Sequence, residues 1–235
     1  MTTNNFINRY FESEAILLKI EYSEKRSMTT FMNYLENLHS VADKLKDRFG
    51  CNIKNVPEFI ILRVIRNYFH HVDDIEEYSM QVEFEEWGIY ENNRHLIISL
   101  KDFAKAVKNF IDNTRDKKYV KKQTELMCEF IEYEIIARVD EIVNLPKISI
   151  DGKAYEIGID IFKYVYNISN IIADECRKIE GLKNMDVILN LEATYTKEYN
   201  IPKRDLLCMP GNTPVMTTEG LVFPKSRDSV GRKII

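Results

Sequence analysis

Residues 57–74, PEFIILRVIRNYFHHVDD, gather two arginines, an asparagine and two histidines into one short stretch. Wound at 100° per residue, Arg63, Arg66, Asn67, His70 and Asp74 share one side of a helix, with His71 and Asp73 on its edges. Ile61, Leu62, Val64, Ile65, Tyr68, Phe69 and Val72 share the other. A helix buried on one face ordinarily turns lysine and glutamate to solvent. Here the polar face offers guanidinium, amide and imidazole groups, which bind phosphate oxygens and, for histidine, carry a proton near neutral pH. That makes this face a candidate site for phosphate chemistry.

Competing constellations are weaker. The chain has no glycine-rich phosphate loop, HExxH, GxSxG or CxxC pair. Glu125, Glu129 and Glu132 fall on one helical face but lack the ExxH partner of a di-iron bundle, and read as a solvated face. His70, His71, Asp73 and Asp74 have side chains that bind metals, yet Arg63 and Arg66 beside them repel a cation, so neither a metal nor a cofactor is expected. His39 and His95 stand apart and read as surface or satisfied core residues.

The string Arg66-Asn67-Tyr68-Phe69-His70-His71 resembles the motif of the HEPN superfamily, the higher eukaryote and prokaryote nucleotide-binding domain. There an arginine is followed by a polar residue, then, after four to six residues in all, by a histidine, on one helix of a small bundle. By this resemblance Arg66 is the family's arginine, Asn67 its polar follower and His71 its histidine. Arg63 and His70 fit the longer spacing. The likeness covers residues 5–145 in outline and about ten residues in detail. The motif helix also lies earlier in this chain than in many members. The resemblance implies a metal-independent endoribonuclease of toxin or anti-phage defence type, with RNA as substrate. It further implies a homodimer whose motif helices meet, and an antitoxin or other protein partner. The alternative is a non-catalytic helical module, an inactive relative that binds protein or RNA. Histidines exposed in a cleft near Arg66 favour the enzyme, and histidines buried against carboxylates favour the module.

The elements that must position these residues are mostly helical. Periodicity predicts helices over 5–22 and 29–49, the second ended by Gly50, with SEKRS between them and CNIKNV leading to Pro57 at a helix start. RHLIISL (94–100) reads as a strand, and Ser99 as the N-cap of a helix over 100–112. Residues 117–144 read as the longest helical segment. KISIDGKAYEI is a hairpin about Asp151-Gly152. A helix over 159–180 and a shorter one over 184–198 follow. The fold class is mainly α: a helical bundle over 1–201 with a β-hairpin near 147–157, and an extended C-terminal arm over 202–235.

Charge is segregated along the chain. Residues 73–91 carry eight acidic side chains and no lysine or arginine, whereas 101–122 carry eight basic ones against three aspartates. They read either as solvated faces that attract each other or as a nucleic-acid groove fenced by acid. The net charge of −4 excludes an indiscriminate polyanion binder. At 45% hydrophobic residues the composition supplies a core. Cys51, Cys128, Cys176 and Cys208 are widely spaced, which reads as reduced, mostly buried thiols in a cytoplasmic protein. Neither a signal peptide nor a membrane span is evident.

Overall fold

The computed structural model describes residues 4–18, 28–81, 88–90, 94–203, 206–208, 214–225 and 230–232. The chain is mainly α. Helix α1 (Asn5–Leu18) packs along α2 (Met28–Phe49), and residues 19–22, expected to continue α1, lie outside the described residues. Gly50 ends α2 at φ +67°, a left-handed geometry that glycine adopts without steric cost. Helix α3 (Pro57–His71) starts on Pro57, where the missing N–H belongs to the unpaired first turn, and contacts α2, α4 (Leu100–Asn113), α5 (Lys117–Met127) and α8 (Phe162–Lys178). Residues from α1, α2, α3, α4 and α8 share one core.

Strands β1 (Glu77–Gln81), β3 (Arg94–Ser99) and β6 (Gly158–Asp160) form an antiparallel sheet, with β3 in the middle. The strand expected over 94–100 is therefore present. The acidic stretch adds β1 and β2 (Gly88–Tyr90), which sequence reading did not anticipate because charge masked their pairing. Ser99 caps α4, accepting from the Asp102 N–H at 3.4 Å. In the predicted hairpin, β4 (Ile148–Ile150) pairs with β5 (Lys153–Tyr155), and Asp151 and Gly152 both have positive φ, 49° and 84°.

Three expectations need correction. Residues 117–144 are not one helix but α5, α6 (Tyr133–Ala137) and α7 (Val139–Val143). The break at 128–132 is stabilised from a distance: the Lys203 ammonium takes the carbonyls of Cys128 and Ile131, each at 3.1 Å. The helix expected from 159 begins at Phe162, because 158–160 join β3 as a strand and Asp160 Oδ1 accepts the Phe162 N–H at 2.9 Å. Over 184–198, among the described residues, only α9 (Asp186–Leu189) and the start of a 3-10 turn at Lys197–Tyr199 are helical, and the Tyr195 carbonyl and Lys197 N–H bond to Arg177 and Asp174 of α8.

The C-terminal arm is stitched to the body. Strand β7 (Leu206–Cys208) pairs with β2, β8 (Val215–Thr217) with β9 (Gly220–Val222), and β10 (Val230–Arg232) with β4. Among the described residues, Lys105 pairs with Asp102, and Lys108 with Asp112 and Asp140, while Asp73 of the acidic block also acts on Lys105. Among the described residues, no helix is long and apolar enough to cross a membrane.

Strand β6 lies so close to β8 that Gly158 has no room for a side chain. An added Cβ would collide with Ile97 Cγ2 and stand 3.1 Å from the Thr217 carbonyl. Gly158→Ala should therefore lower stability by about 1–3 kcal/mol, read as a reduced urea midpoint with an unchanged slope.

Candidate functional site

The first half of α3 is buried all round: Glu58, Phe59, Ile60, Ile61 and Leu62 are all inaccessible, so its polar face is confined to the last turns. Glu58 is held inside by Asn167 Nδ2 at 3.4 Å, and burial raises its carboxyl above the usual range. Only from Arg63 onward does a polar stripe emerge.

That stripe divides between two neighbours. Arg63 donates from Nη2 to Gln123 Oε1 on α5 at 2.6 Å, and its guanidinium lies 5.9 Å from the Phe59 ring centre and 5.7 Å from that of Tyr119. Gln123 is buried, so Arg63 joins α3 to α5. Arg66 turns to α2. Its Nε and Nη2 donate to the two oxygens of Glu36 at 3.0 and 2.9 Å, and Nη1 donates to Asn67 Oδ1 at 3.3 Å. His70 Nδ1 lies 3.6 Å from Glu36 Oε1, and the His70 and His71 rings meet edge to face with centres 4.7 Å apart.

The structure thus brings Arg66 and His70 onto Glu36, with Asn67 against Arg66 and His71 against His70, and gives Arg63 a separate partner. The Arg63–His70 pairing allowed by spacing is not formed as a unit. Glu36 is the residue that sequence reading missed, because a glutamate on a helix flank carries no distinguishing signal. Hydrogen bonding from Arg66 holds its carboxyl below the usual range, helped by the charges of Arg66, His70 and His39 and opposed by partial burial. Arg66 is 17% exposed and His70 47% exposed, and His71 is open to solvent. The hollow beside Arg63 and Arg66, lined by Leu38, Phe59 and Leu62, is too tight for a ligand. Chemically the cluster offers a guanidinium with two of its five N–H groups outside these hydrogen bonds, and imidazoles at an open surface.

Larger hollows lie elsewhere. A cavity of about 370 Å³ follows α3 and is lined by Asp73, Asp74, Glu76, Asp102, Glu156 and Lys105. A second, of about 250 Å³, is bounded by Phe130, Ile159, Lys163, Lys203 and a buried pair in which His95 Nδ1 meets Asp160 Oδ2 at 2.8 Å. The other oxygen of Asp160 accepts from Leu96 N at 3.0 Å and Phe162 N at 2.9 Å, and His95 is buried, one of the two placements expected of it. His39 is half-buried, 3.2 Å from Asp43, and desolvation depresses its pKa. Among the described residues, no three histidines, cysteines, aspartates or glutamates are arranged to hold a metal ion, the set His70, His71, Asp73 and Asp74 included.

Comparison with protein-family models, with characterised proteins and with solved structures returns no match.

The division of the stripe has a direct test. Arg63→Met leaves the buried Gln123 oxygen without its donor and should cost about 1–3 kcal/mol of stability in urea denaturation. It should leave the arrangement of Glu36, Arg66 and His70 intact, visible as unchanged His70 and His71 imidazole resonances.

Proposed function

We propose that the chain is a metal-independent endoribonuclease of toxin or anti-phage defence type, acting in the cytoplasm, whose site is completed when two copies set their α3 ends together about a two-fold axis. One observation carries the reading. Glu36 receives the Arg66 fork and also borders His70, so one carboxylate steadies a cation and an imidazole at the exposed end of one helix. On this reading α1, α2, α3 and α8 make up the helical bundle that the family resemblance implies.

The chemistry follows from the side chains. Neutral His71 takes the proton from a ribose 2′-hydroxyl, and the 2′-oxygen attacks phosphorus. A protonated imidazole from the second copy gives its proton to the departing 5′-oxygen, leaving a 2′,3′-cyclic phosphate. The outward N–H groups of Arg66 neutralise charge on the phosphorane, a role that a guanidinium fills by donating paired hydrogen bonds. Asn67 fixes the orientation of Arg66 through Nη1. One helix end supplies too few groups for both proton transfers, which is why a second copy is required.

A second reading has its own support. The Arg66 fork is closed on Glu36 and the cluster lies on an open surface, as in a module that binds RNA or a protein partner without cutting. Both readings meet in one experiment. The purified chain should cleave single-stranded RNA in EDTA and run as a dimer in light scattering. His71→Ala and Arg66→Ala should each reduce the rate by about 10²–10⁴-fold. Arg66→Lys should recover only part of the loss, since an ammonium lacks the fork. A larger loss in His70→Ala than in His71→Ala would move the proton transfer to His70. RNA that is bound and left whole by a monomer would sink the nuclease and establish the module.

A further inference from the structure

Helix α8 holds a piece of its own chain as a receptor holds an extended peptide. Asn167, Asn170, Asp174 and Arg177, at helical spacing on one face, meet residues 201, 200, 197 and 195 in reverse order. Asn167 takes both sides of one residue: its Nδ2 donates to Ile201 O at 2.9 Å and its Oδ1 accepts from Ile201 N at 2.8 Å. Asn170 Nδ2 donates to Asn200 Oδ1 at 3.1 Å, and Asp174 Oδ2 accepts the Lys197 N–H at 2.8 Å. Arg177 Nη1 donates to the Tyr195 carbonyl. Tyr195 and Ile201 pack partly buried against the core, whereas Lys197, Glu198 and Tyr199 between them are exposed, Tyr199 by 56%. Within the interface Thr196 Oγ1 and Asn170 Oδ1 are buried with no hydrogen-bond partner among the described residues, which weakens the closed form. A segment held largely by polar bonds, with an exposed middle, is drawn from the low-stability end of a structure.

The far end of this segment is tied to one acid. Tyr195 Oη donates to Glu14 Oε1 and Oε2 at 3.1 and 3.3 Å, and Glu14 is 2% exposed inside the fold. The groups about it are Tyr10 on its own helix, Tyr34 from α2, Ser169 from α8 and Tyr195 on the segment, with Tyr166 of α8 and Glu192, just ahead of the segment, acting on Tyr195. Helix α9, also packed on α1, brings Asp186 as its one titratable side chain, and that residue is exposed. The described groups therefore include no cation to compensate a charge on Glu14. Beyond the segment, Lys203 binds the Cys128 and Ile131 carbonyls and forms one wall of the cavity beside His95 and Asp160.

We propose that residues 195–203 are a proton-controlled strap, closed over α8 while Glu14 is neutral and released when Glu14 ionises, so that release also opens the wall of the neighbouring cavity. Burial pushes the Glu14 carboxyl up to about 7, against the lowering effect of its bonds with Tyr195 and Ser169, whereas the opened strap hydrates it and returns it towards 4.5. The sign is fixed by that difference. Below 4.5 the acid is neutral in both forms and opening does not depend on pH. From there to about 7 opening grows with pH, by up to about tenfold per unit, and above 7 it levels off.

Hydrogen exchange of the Lys197 and Ile201 amides, corrected for the intrinsic rate, tests this on the whole chain. Their protection should fall by up to about tenfold per unit between pH 5 and 7 and then flatten. Glu14→Gln should hold protection constant over that range, and Asn167→Ala should lower it at every pH. A flat profile in the parent chain, or an equal slope in Glu14→Gln, overturns the proposal. Should Glu14→Gln fail to fold, carbon NMR of the parent Glu14 carboxyl decides: a group still neutral at pH 6 supports the strap, and one ionised by pH 5 overturns it. Neither readout depends on RNA cleavage.

Discussion

Everything at the candidate site depends on the burial of α3 along its first half. Five consecutive residues, Glu58 to Leu62, are inaccessible because α2, α4, α5 and α8 close around them. Each fully buried branched or aromatic side chain in that run contributes about 1.5–3 kcal/mol relative to exposure, so the axis of α3 cannot shift without a large loss. Only the last turns reach the surface. The imidazoles stand there because the chain ahead of them is held rigidly, and Arg66 meets Glu36 because α2 has to lie alongside.

How much of this was legible in the sequence follows the distance over which each feature is decided. The Asp151-Gly152 turn, the Gly50 terminus, the Ser99 cap and the Pro57 start each depend on neighbouring residues, and all were readable. The break after Met127 was not, because the ammonium that takes the carbonyls of Cys128 and Ile131 belongs to a residue 75 and 72 positions away. Of the candidate residues, Arg66, Asn67, His70 and His71 were singled out by type and spacing and do lie together. Arg63 looked equivalent on a helical wheel, yet a buried glutamine from α5 claims it. Glu36 was invisible, since nothing in a flank glutamate announces which helix it will face.

A recurring device is the use of a polar side chain where regular backbone pairing stops. Asp160 ends β6, accepts from the first amide of α8 and from the Leu96 amide, and holds His95. Asn167 presents an amide that copies a peptide unit and so pairs with Ile201 as a strand neighbour would. Lys203 closes the carbonyl ends of a broken helix. Buried polar atoms need partners, and each of these residues supplies several at once. Removing any of them exposes more than one unsatisfied group.

The pairing of β10 with β4, and of β7 with β2, bears on the order in which the molecule assembles. The helices and the β4–β5 turn need only local contacts, whereas these pairings close very long loops and form slowly. Until β10 arrives, one side of β4 presents unpaired amide and carbonyl groups to the surroundings. During that interval another molecule can offer its own strand to the same edge, so refolding competes with self-association more as concentration rises.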